Sequence, residues 1–374
     1  MLHIRYLVIA TLALLIVLTG CGDASTAQQS TPTPQQAPAQ QSTATPTSTR
    51  ASMQLQHIII IMMENHGLSD ILGNTTDAPY LNQLANSYGV ATHYYGVTHP
   101  SLPNYLAAIS GDFQGIWDDC QAGAGVTCGP QDFGSLLTAG EAASASNRPH
   151  MFSGQTLVDQ LEAHHLTWKA YMQSMPSVGY TGAATALYAE KHNPFVYFAG
   201  IRNNPARMQR IVPLAQFEQD GSSGNLPNFV WITPDVCSDM HGVSAGTAQS
   251  LGIPGCATYD GTIARGDNFI HTLVPEIMSS SSWKEGSAIV IAWDESDASS
   301  NGCCKSPTGI TGSILGGGNV PLIVITSSGP HHITLSSGSF NHYSLLATIE
   351  QLWGLGCLGN ACSLRNAGLL TGLF

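Results

Sequence analysis

Four oxygen-bearing side chains stand in two adjacent pairs, each directly after an apolar run of the chain. They are Glu64, Asn65, Asp294 and Glu295. Carboxylate and amide oxygens are the ligands that hard divalent cations such as Mg²⁺, Mn²⁺ and Ca²⁺ prefer. Because the carboxyl ends of parallel strands meet at one edge of a sheet, we expect the two pairs to converge there. The set predicts a metal site, although either pair alone would fit an ordinary strand end at the surface.

Ser101 is the candidate nucleophile. It precedes a helical pattern that has Pro103 in its expected first turn. We predict that Ser101 is the N-cap of this helix, because serine is favoured there and proline is tolerated in the first turn. A helix N-terminus offers free N–H groups and a partial positive charge, which favour a bound phosphate and a serine alkoxide. A serine that only caps the helix is the alternative, and Thr98 is the next candidate nucleophile.

Histidines in two further segments could contact phosphate oxygens or protonate a leaving group. His192 precedes an Asn-Pro step, and His241 follows the second apolar run of the chain. Three weaker candidates for the same site are His99, Asn104 and His342. An isolated histidine is more often a surface or packing residue, so these predictions require the side chains to meet the nucleophile in the fold.

Short apolar runs that alternate with helical patterns must position these residues. The predicted strands are residues 57–63, 228–233, 288–293 and 320–326, and the predicted helices are residues 156–165, 267–279 and 343–353. Continuous Ile and Val runs are typical of parallel strands that helices cover on both faces. Asp267 follows Gly266, and we expect it to cap its own helix. The pattern predicts an α/β fold with a doubly wound, mostly parallel sheet and helices on both faces.

The amino terminus predicts export and membrane anchoring. Residues 1–21 combine a short basic start with an apolar run that ends in Leu-Thr-Gly-Cys, which resembles the bacterial lipobox. Cys21 would be lipidated, and a signal peptide with a chance cysteine is the alternative. Residues 22–52 are rich in Ala, Ser, Thr, Pro and Gln, a composition that predicts a disordered linker. Residues 53–374 would then form one globular domain outside the cytoplasm.

Charge and cysteine content narrow the partners and the compartment. The chain has Asp+Glu 24 against Lys+Arg 12 and no basic cluster, which argues against a nucleic-acid partner. Eight cysteines remain besides Cys21, an even number that predicts disulfides in an exported chain. Proximity in sequence suggests the pairs Cys120–Cys128, Cys237–Cys256 and Cys357–Cys362. Cys303 and Cys304 would form a vicinal bridge or pair elsewhere, and a zinc–thiolate site is the alternative.

Six short motifs together resemble the bacterial phosphoesterase family. In chain order they are Met63-Glu64-Asn65-His66, His99-Pro100-Ser101-Leu102-Pro103-Asn104-Tyr105, Lys191-His192-Asn193-Pro194, Asp239-Met240-His241, Trp293-Asp294-Glu295 and Asn341-His342-Tyr343-Ser344. They span nearly all of the predicted globular domain. The family includes secreted acid phosphatases, SapM-like phosphatidylinositol-3-phosphatases and non-haemolytic phospholipases C. The resemblance implies the alkaline-phosphatase-like α/β fold.

The resemblance also implies a role for each matched residue. The matched ligands of a divalent metal ion, with Mg, Mn, Ca and Zn as candidates, are Glu64, Asn65, Asp294 and Glu295. Ser101 matches the nucleophile, and His192 and His241 match histidines of the phosphate site. His342 matches a recurrent residue of the family. The family's Glu-Asn-His motif usually continues with Ser-Phe, whereas Gly67 and Leu68 follow it here.

The expected reaction is hydrolysis of a phosphoric monoester in two steps, through a phosphoserine at Ser101. The segments around Ser101 and residues 168–172 look closer to the acid phosphatase branch. The expected substrates are small phosphate esters or phospholipids, including phosphoinositides. A phospholipase C-type phosphodiesterase is the alternative, and cleavage of sulfate or phosphonate esters is a lesser one. A surface phosphate-binding lipoprotein belongs to a different class and would have no use for a serine aligned with metal ligands.

Overall fold

The computed structural model describes residues 55–258, 261–284, 286–297, 299–366 and 368–374. The predicted signal peptide, the predicted lipidation site Cys21 and the predicted linker at 22–52 therefore lie outside the described residues. None of the described helices combines the length and the apolar character that crossing a membrane requires.

Nine strands of the described chain form one sheet, in the order β4-β3-β5-β1-β6-β7-β2-β8, with β9 paired to β2. Their bounds are β1 His57–Met63, β2 Gly89–Tyr95, β3 Trp168–Met172, β4 Ile211–Pro213, β5 Phe229–Thr233, β6 Ser287–Trp293, β7 Asn319–Thr326, β8 Ile333–Leu335 and β9 Phe340–Asn341. All seven residues of β6 are buried, so both faces of the central sheet are covered. The predicted α/β fold with a mostly parallel sheet is confirmed.

The strand β7 departs from the expectation of a parallel strand. It pairs antiparallel with both of its neighbours, β6 and β2. A parallel neighbour of β6 would need a crossover connection, which is usually a helix. The described residues between β6 and β7 contain no helix, so the chain turns back and runs antiparallel. Its sequence is rich in Ile and Val because both faces of the strand are buried. An inner antiparallel strand is buried in the same way as a parallel one, so the sequence does not distinguish the two.

Eleven α-helices of the described chain surround the sheet. Their bounds are α1 Leu68–Ile71, α2 Pro79–Ser87, α3 Ser101–Ser110, α4 Ala139–Ser146, α5 Leu157–Ala163, α6 Ala199–Arg202, α7 Pro205–Met208, α8 Gln216–Ser222, α9 Ala245–Leu251, α10 Thr262–Ser279 and α11 His342–Leu352. The three predicted helices correspond to α5, α10 and α11. Short 3-10 helices, among them Glu190–His192 and Pro194–Tyr197, complete the connections.

The prediction that Asp267 caps its own helix is wrong. The helix α10 begins five residues earlier, at Thr262, and runs through Gly266. A side chain at position 266 would collide with Met240, so glycine allows α10 to pack closely there. Asp267 instead accepts hydrogen bonds from the backbone N–H groups of Tyr80 and Leu81, at 3.1 and 2.8 Å, in the first turn of α2. The aspartate therefore caps a helix that is distant in sequence.

Four disulfides account for all eight cysteines of the described chain. The three predicted bridges, Cys120–Cys128, Cys237–Cys256 and Cys357–Cys362, are present, and Cys303 is bonded to its neighbour Cys304. No thiolate is left for the alternative zinc–thiolate site among the described residues. Such disulfide usage indicates an oxidising compartment.

Candidate active site

The carboxyl ends of β1 and β6 bring the two predicted ligand pairs together. These strands are parallel neighbours, and Met63 lies opposite Trp293 in their register. Glu64 and Asp294 therefore leave the sheet side by side, and both side chains are buried. The backbone N–H of Asn65 donates a hydrogen bond to Asp294 Oδ1 at 3.2 Å. Asn65 has a left-handed backbone, with φ of 56°, a conformation that asparagine tolerates better than most residues.

Ser101 lies between carboxylates from these two strand ends. Its Oγ atom is 3.0 Å from Glu64 Oε2 and 3.3 Å from Glu295 Oε1, and the hydroxyl can donate its one proton to either oxygen. The prediction that Ser101 is an N-cap is wrong, because Pro100 occupies that position and Ser101 is the first residue of α3. An N-cap hydroxyl would accept from the backbone of its helix, whereas this hydroxyl donates to carboxylates.

Asn104 shapes the loop that leads into the nucleophile. Its Oδ1 atom accepts from the backbone N–H of Val97 at 2.7 Å, and its Nδ2 atom donates to the carbonyl oxygen of Thr98 at 2.7 Å. The same amide lies 3.4 Å from Glu295 Oε2. Asn104 thus joins the loop to the carboxylate that faces Ser101.

Thr98 was the alternative candidate nucleophile. Its buried hydroxyl has no hydrogen-bond partner among the described residues, so no base is in place to activate it.

His192 lies between two buried carboxylates. Its Nε2 atom is 3.1 Å from Glu64 Oε1, and its Nδ1 atom is 3.1 Å from Asp239 Oδ2. The ring stacks on Tyr105 of α3, with centroids 5.2 Å apart and planes 4° apart. Burial lowers the pKa of His192 well below its ordinary value, with smaller contributions from Lys191 and His241. The ring is therefore neutral near pH 7, with a lone pair to offer.

His241 completes a close group with Glu64 and His192. One ligand-type atom from each of these side chains lies within 4.8 Å of the others. The Nδ1 atom of His241 is 2.8 Å from the carbonyl oxygen of Gly242. Because a carbonyl can only accept, Nδ1 carries a hydrogen and, in the neutral ring, Nε2 is left with its lone pair. His241 Nε2 lies 3.5 Å from Lys191 Nζ, and that ammonium group is 3.4 Å from Ser101 Oγ. The ring of His241 therefore faces the nucleophile.

Glu295 and His99 form a close pair beside the nucleophile. His99 Nδ1 is 2.6 Å from Glu295 Oε2, and His99 Nε2 is 3.0 Å from the carbonyl oxygen of Ser299. Burial lowers the pKa of His99, but the hydrogen bond and charge of Glu295 outweigh it and raise the pKa to about 9. Burial raises the pKa of Glu295 to about 7 against the opposing effect of His99. His99 thus orients Glu295 as a charged partner.

The buried oxygens and nitrogens of this site fit a divalent cation. Burial raises the pKa of Glu64, Asp239 and Asp294 above the ordinary carboxyl range, although Lys191 opposes the shift at Glu64. One oxygen on each of these carboxylates and both ring nitrogens of His192 lack a hydrogen bond. Unpaired buried carboxylates are costly unless a cation or proton compensates them. Glu64 and Asp294, two of the predicted ligands, are thus accompanied by Asp239 and His192, while Asn65 contacts Asp294 through its backbone.

Three residues near the nucleophile were missed by sequence reasoning. Asp239 stood inside a matched motif, but we assigned a role only to His241. Lys191 likewise stood beside His192 without a role of its own. Asp119 lies in no matched motif, and its signal is purely spatial: its Oδ2 atom is 2.7 Å from Lys191 Nζ.

Comparisons with known proteins find similarity to phosphoesterases. The sequence model of the Phosphoesterase family matches residues 74–356, which include every predicted catalytic and metal-binding residue except Glu64 and Asn65. The phosphatidylinositol-3-phosphatase of Mycobacterium tuberculosis is 27% identical over 307 residues, 82% of this chain and 79% of that protein. The phosphate-repressible acid phosphatase of Penicillium chrysogenum is 25% identical over 286 residues, 75% of this chain and 55% of that protein.

Similarity to solved structures is weaker. A protein in the alkaline phosphatase superfamily from Vibrio parahaemolyticus is 12% identical, with a TM-score of 0.49. The match covers 80% of this chain and 67% of that one.

Proposed function

The chain belongs to the Phosphoesterase family, and from this premise we propose that it is a metal-dependent phosphoric monoester hydrolase with Ser101 as its nucleophile. Membership and the phosphatase names of its relatives confirm the predicted class of enzyme, a phosphoric ester hydrolase. One observation carries the finer proposal. The Ser101 hydroxyl is buried at the start of a helix and donates toward two carboxylates, Glu64 and Glu295.

In the first half of the reaction, Ser101 Oγ forms a bond to phosphorus while the bond from phosphorus to the alcohol oxygen breaks. The serine proton passes to the carboxylate of Glu64 or Glu295 that already accepts its hydrogen bond. The alcohol oxygen departs with the electron pair of the broken bond and takes the Nε2 proton of His241 in its doubly protonated form. The products are a phosphoserine and the free alcohol.

In the second half, water attacks phosphorus and the bond to Ser101 Oγ breaks. His241 is now neutral, with Nδ1–H directed to Gly242, so its Nε2 lone pair can take the proton of the water. The proton held by the carboxylate returns to Ser101 Oγ. Inorganic phosphate leaves, and each side chain regains its starting protonation state.

The proposed ligands of a divalent cation are Glu64, Asp294 and Glu295, with the neutral ring of His192 beside them. A cation held there would supply Lewis-acid stabilisation of the charge that develops on the phosphoryl oxygens. His342 and Asn104 act through these groups and not on the substrate, since His342 contacts the backbone of Asp294 and Asn104 contacts Glu295. We assign both as positioning residues.

We propose small phosphate monoesters as substrates, with phosphoinositides among them. The M. tuberculosis relative is named for such an activity, and the P. chrysogenum relative is named as an acid phosphatase. The acidic composition remains an argument against a nucleic-acid partner. We further propose that the protein is exported and held at the membrane by a lipid on Cys21, a proposal supported by its disulfides and by the Leu-Thr-Gly-Cys segment.

Hydrolysis of p-nitrophenyl phosphate by the purified chain, after EDTA treatment and after return of single divalent metals, tests this function. We expect turnover that EDTA removes and at least one metal restores. Turnover of phosphatidylcholine in place of the monoester would favour the phospholipase C alternative. Binding of phosphate without turnover of either ester, in a folded metal-loaded protein, would favour the phosphate-binding lipoprotein.

A further inference from the structure

Lys191, to which the family resemblance assigned no role, lies beside the nucleophile. Lys191 Nζ is 3.4 Å from Ser101 Oγ and 3.5 Å from His241 Nε2. Its side chain is only 19% exposed. It reaches the site from the short 3-10 helix Glu190–His192, which also carries His192. The ammonium group therefore lies beside the oxygen that would attack phosphorus.

Asp119 fixes this ammonium group to the helix of the nucleophile. Its Oδ2 atom is 2.7 Å from Lys191 Nζ, and its Oδ1 atom accepts from the backbone N–H of Leu102 at 2.9 Å. Leu102 is the residue after Ser101 in the first turn of α3. One carboxylate thus sets the position of the lysine relative to the serine, and the flexible side chain is ordered before substrate binds.

The charge around Ser101 makes a fixed cation necessary for a phosphate. Four carboxylates are buried at this site, those of Glu64, Asp239, Asp294 and Glu295. They would repel a phosphate dianion wherever a metal ion does not neutralise them. Within the described chain, Lys191 supplies the ammonium group that contacts Ser101. Preorganised donors aimed at developing charge in a water-poor site are among the strongest contributors to catalysis.

We propose that Lys191 is a catalytic residue that donates a hydrogen bond to a non-bridging oxygen of the phosphoryl group, and that Asp119 is the residue that positions it. This inference deepens the proposed function and rests on it. The competing account is structural: Lys191 would only balance the charges of Glu64 and Glu295. The two accounts differ in whether removal of the lysine changes affinity for phosphate or affinity for the metal.

The test compares Lys191→Met and Lys191→Arg with wild type in the full chain. Calorimetric binding of inorganic phosphate is the first measurement, with metal content determined on the same samples. Lys191→Met should weaken phosphate binding by about tenfold or more and lower kcat/KM by about 10²- to 10³-fold, as loss of one oxyanion donor does. Lys191→Arg keeps the charge and should retain part of both.

Lys169→Met is the matched control. Lys169 is also paired with an aspartate, Asp220, at 2.5 Å, and its side chain is 18% exposed. It is the second residue of β3, at the amino-terminal end of the strand. The site lies at the opposite end of the parallel strands, where their carboxyl ends meet. Removal of Lys169 deletes the same kind of ion pair and should leave phosphate affinity and kcat/KM unchanged.

A double-mutant cycle tests the role of Asp119. If Asp119 acts through the lysine, Asp119→Asn should weaken phosphate binding in wild type and change it little in the Lys191→Met background. Equal losses in both backgrounds would overturn the positioning role.

The outcomes separate this inference from the proposed function. Phosphate affinity of Lys191→Met within about threefold of wild type, or loss of metal with phosphate affinity unchanged at saturating metal, would overturn the role of Lys191. A wild type that binds phosphate through Lys191 but hydrolyses no ester would contradict the proposed function alone. A wild type that binds no phosphate would overturn both.

Discussion

The Nε2 atom of His342 lies 2.6 Å from the backbone carbonyl oxygen of Asp294. Because a carbonyl can only accept, Nε2 carries the hydrogen, and Nδ1 then accepts from the hydroxyl of Tyr94 at 2.8 Å. Burial lowers the pKa of His342 to about 4, which keeps the ring neutral and this arrangement fixed. The first residue of α11 thus holds the backbone of a proposed metal ligand.

Replacing His342 by Phe should therefore weaken both the fold and the site. The carbonyl of Asp294 would be buried without a donor, and we expect the free energy of unfolding to fall by about 1–3 kcal/mol. Urea unfolding measures this loss, and a metal titration measures the accompanying fall in metal affinity. His342→Gln, which keeps a donor, should recover part of both. Equal metal affinity in wild type and His342→Phe would remove the positioning role.

A carboxylate distant from the site predicts a pH dependence of stability. Burial raises the pKa of Glu350 to about 7, although a hydrogen bond from Gln160 and the charge of Arg365 lower it. Between its ordinary pKa of 4.5 and about 7, the folded protein keeps a proton that the unfolded chain releases. The free energy of unfolding therefore falls as pH rises through this window.

Glu350→Gln should remove this part of the fall. The amide oxygen can still accept from Gln160 Nε2, which lies 3.0 Å from Glu350 Oε1, and the side chain no longer ionises. Relative to wild type, the variant should gain stability between about pH 5 and about pH 8, measured by urea unfolding at both values. A difference that does not change with pH would show that Glu350 ionises normally in the folded state.

The bridge between Cys237 and Cys256 should matter for activity as well as stability. It joins residue 256 to the segment that carries Asp239 and His241. Replacing both of its cysteines by serine should lower the free energy of unfolding by about 2–4 kcal/mol. Turnover should also fall at temperatures where the variant is still folded, because the histidine segment is less restrained.

The bridge between Cys357 and Cys362 supplies the control for that experiment. It follows α11, near the end of the chain, and contains none of the proposed site residues. The corresponding double serine variant should lose stability and keep its kcat while folded. Equal losses of kcat in the two variants would mean that the first bridge has no particular influence on the site.

Divalent metal should stabilise the folded protein, since the buried carboxylates at the site repel one another without it. An ion that binds only the folded state raises stability in proportion to the logarithm of its concentration over Kd. We expect the Tm to rise with the activating metal, to fall with EDTA, and to respond much less in Asp294→Asn. An identical metal response in wild type and the variant would exclude Asp294 as a ligand.

Much of the sheet, and the convergence of Glu64 and Asp294 at its edge, was predictable from sequence. Buried strands are recognisable because their residues are apolar. The runs that form β1, β5, β6 and β7 are continuously apolar, and their bounds were predicted to within one residue. The convergence of Glu64 and Asp294 followed from the geometry of parallel strands. The peripheral strands β2, β3, β4, β8 and β9 were not predicted, because polar or exposed positions interrupt most of them and several have only two or three residues.

The errors at Asp267 and Ser101 share one physical origin, which differs from that of the strand β7: both are side chains whose partners are distant in sequence. Asp267 looked like a cap for its own helix, yet its carboxylate binds the N-terminus of α2. Ser101 looked like an N-cap, yet its hydroxyl faces Glu64 and Glu295. Asp119 gave no signal at all. A local sequence pattern predicts hydrogen bonds to groups nearby in the chain. It does not predict bonds to distant groups, because the fold determines which of those groups come close.

Trapping of the covalent intermediate tests the role of Ser101 most directly. The metal-loaded protein is mixed with excess p-nitrophenyl phosphate, quenched in acid within the first turnovers, and digested for peptide mass analysis. We predict a phosphoryl group on Ser101 that is absent from unreacted protein, and in Ser101→Ala a loss of kcat by orders of magnitude with metal still bound. Phosphorylation of a different residue, or near wild-type turnover by folded Ser101→Ala, would contradict the assignment.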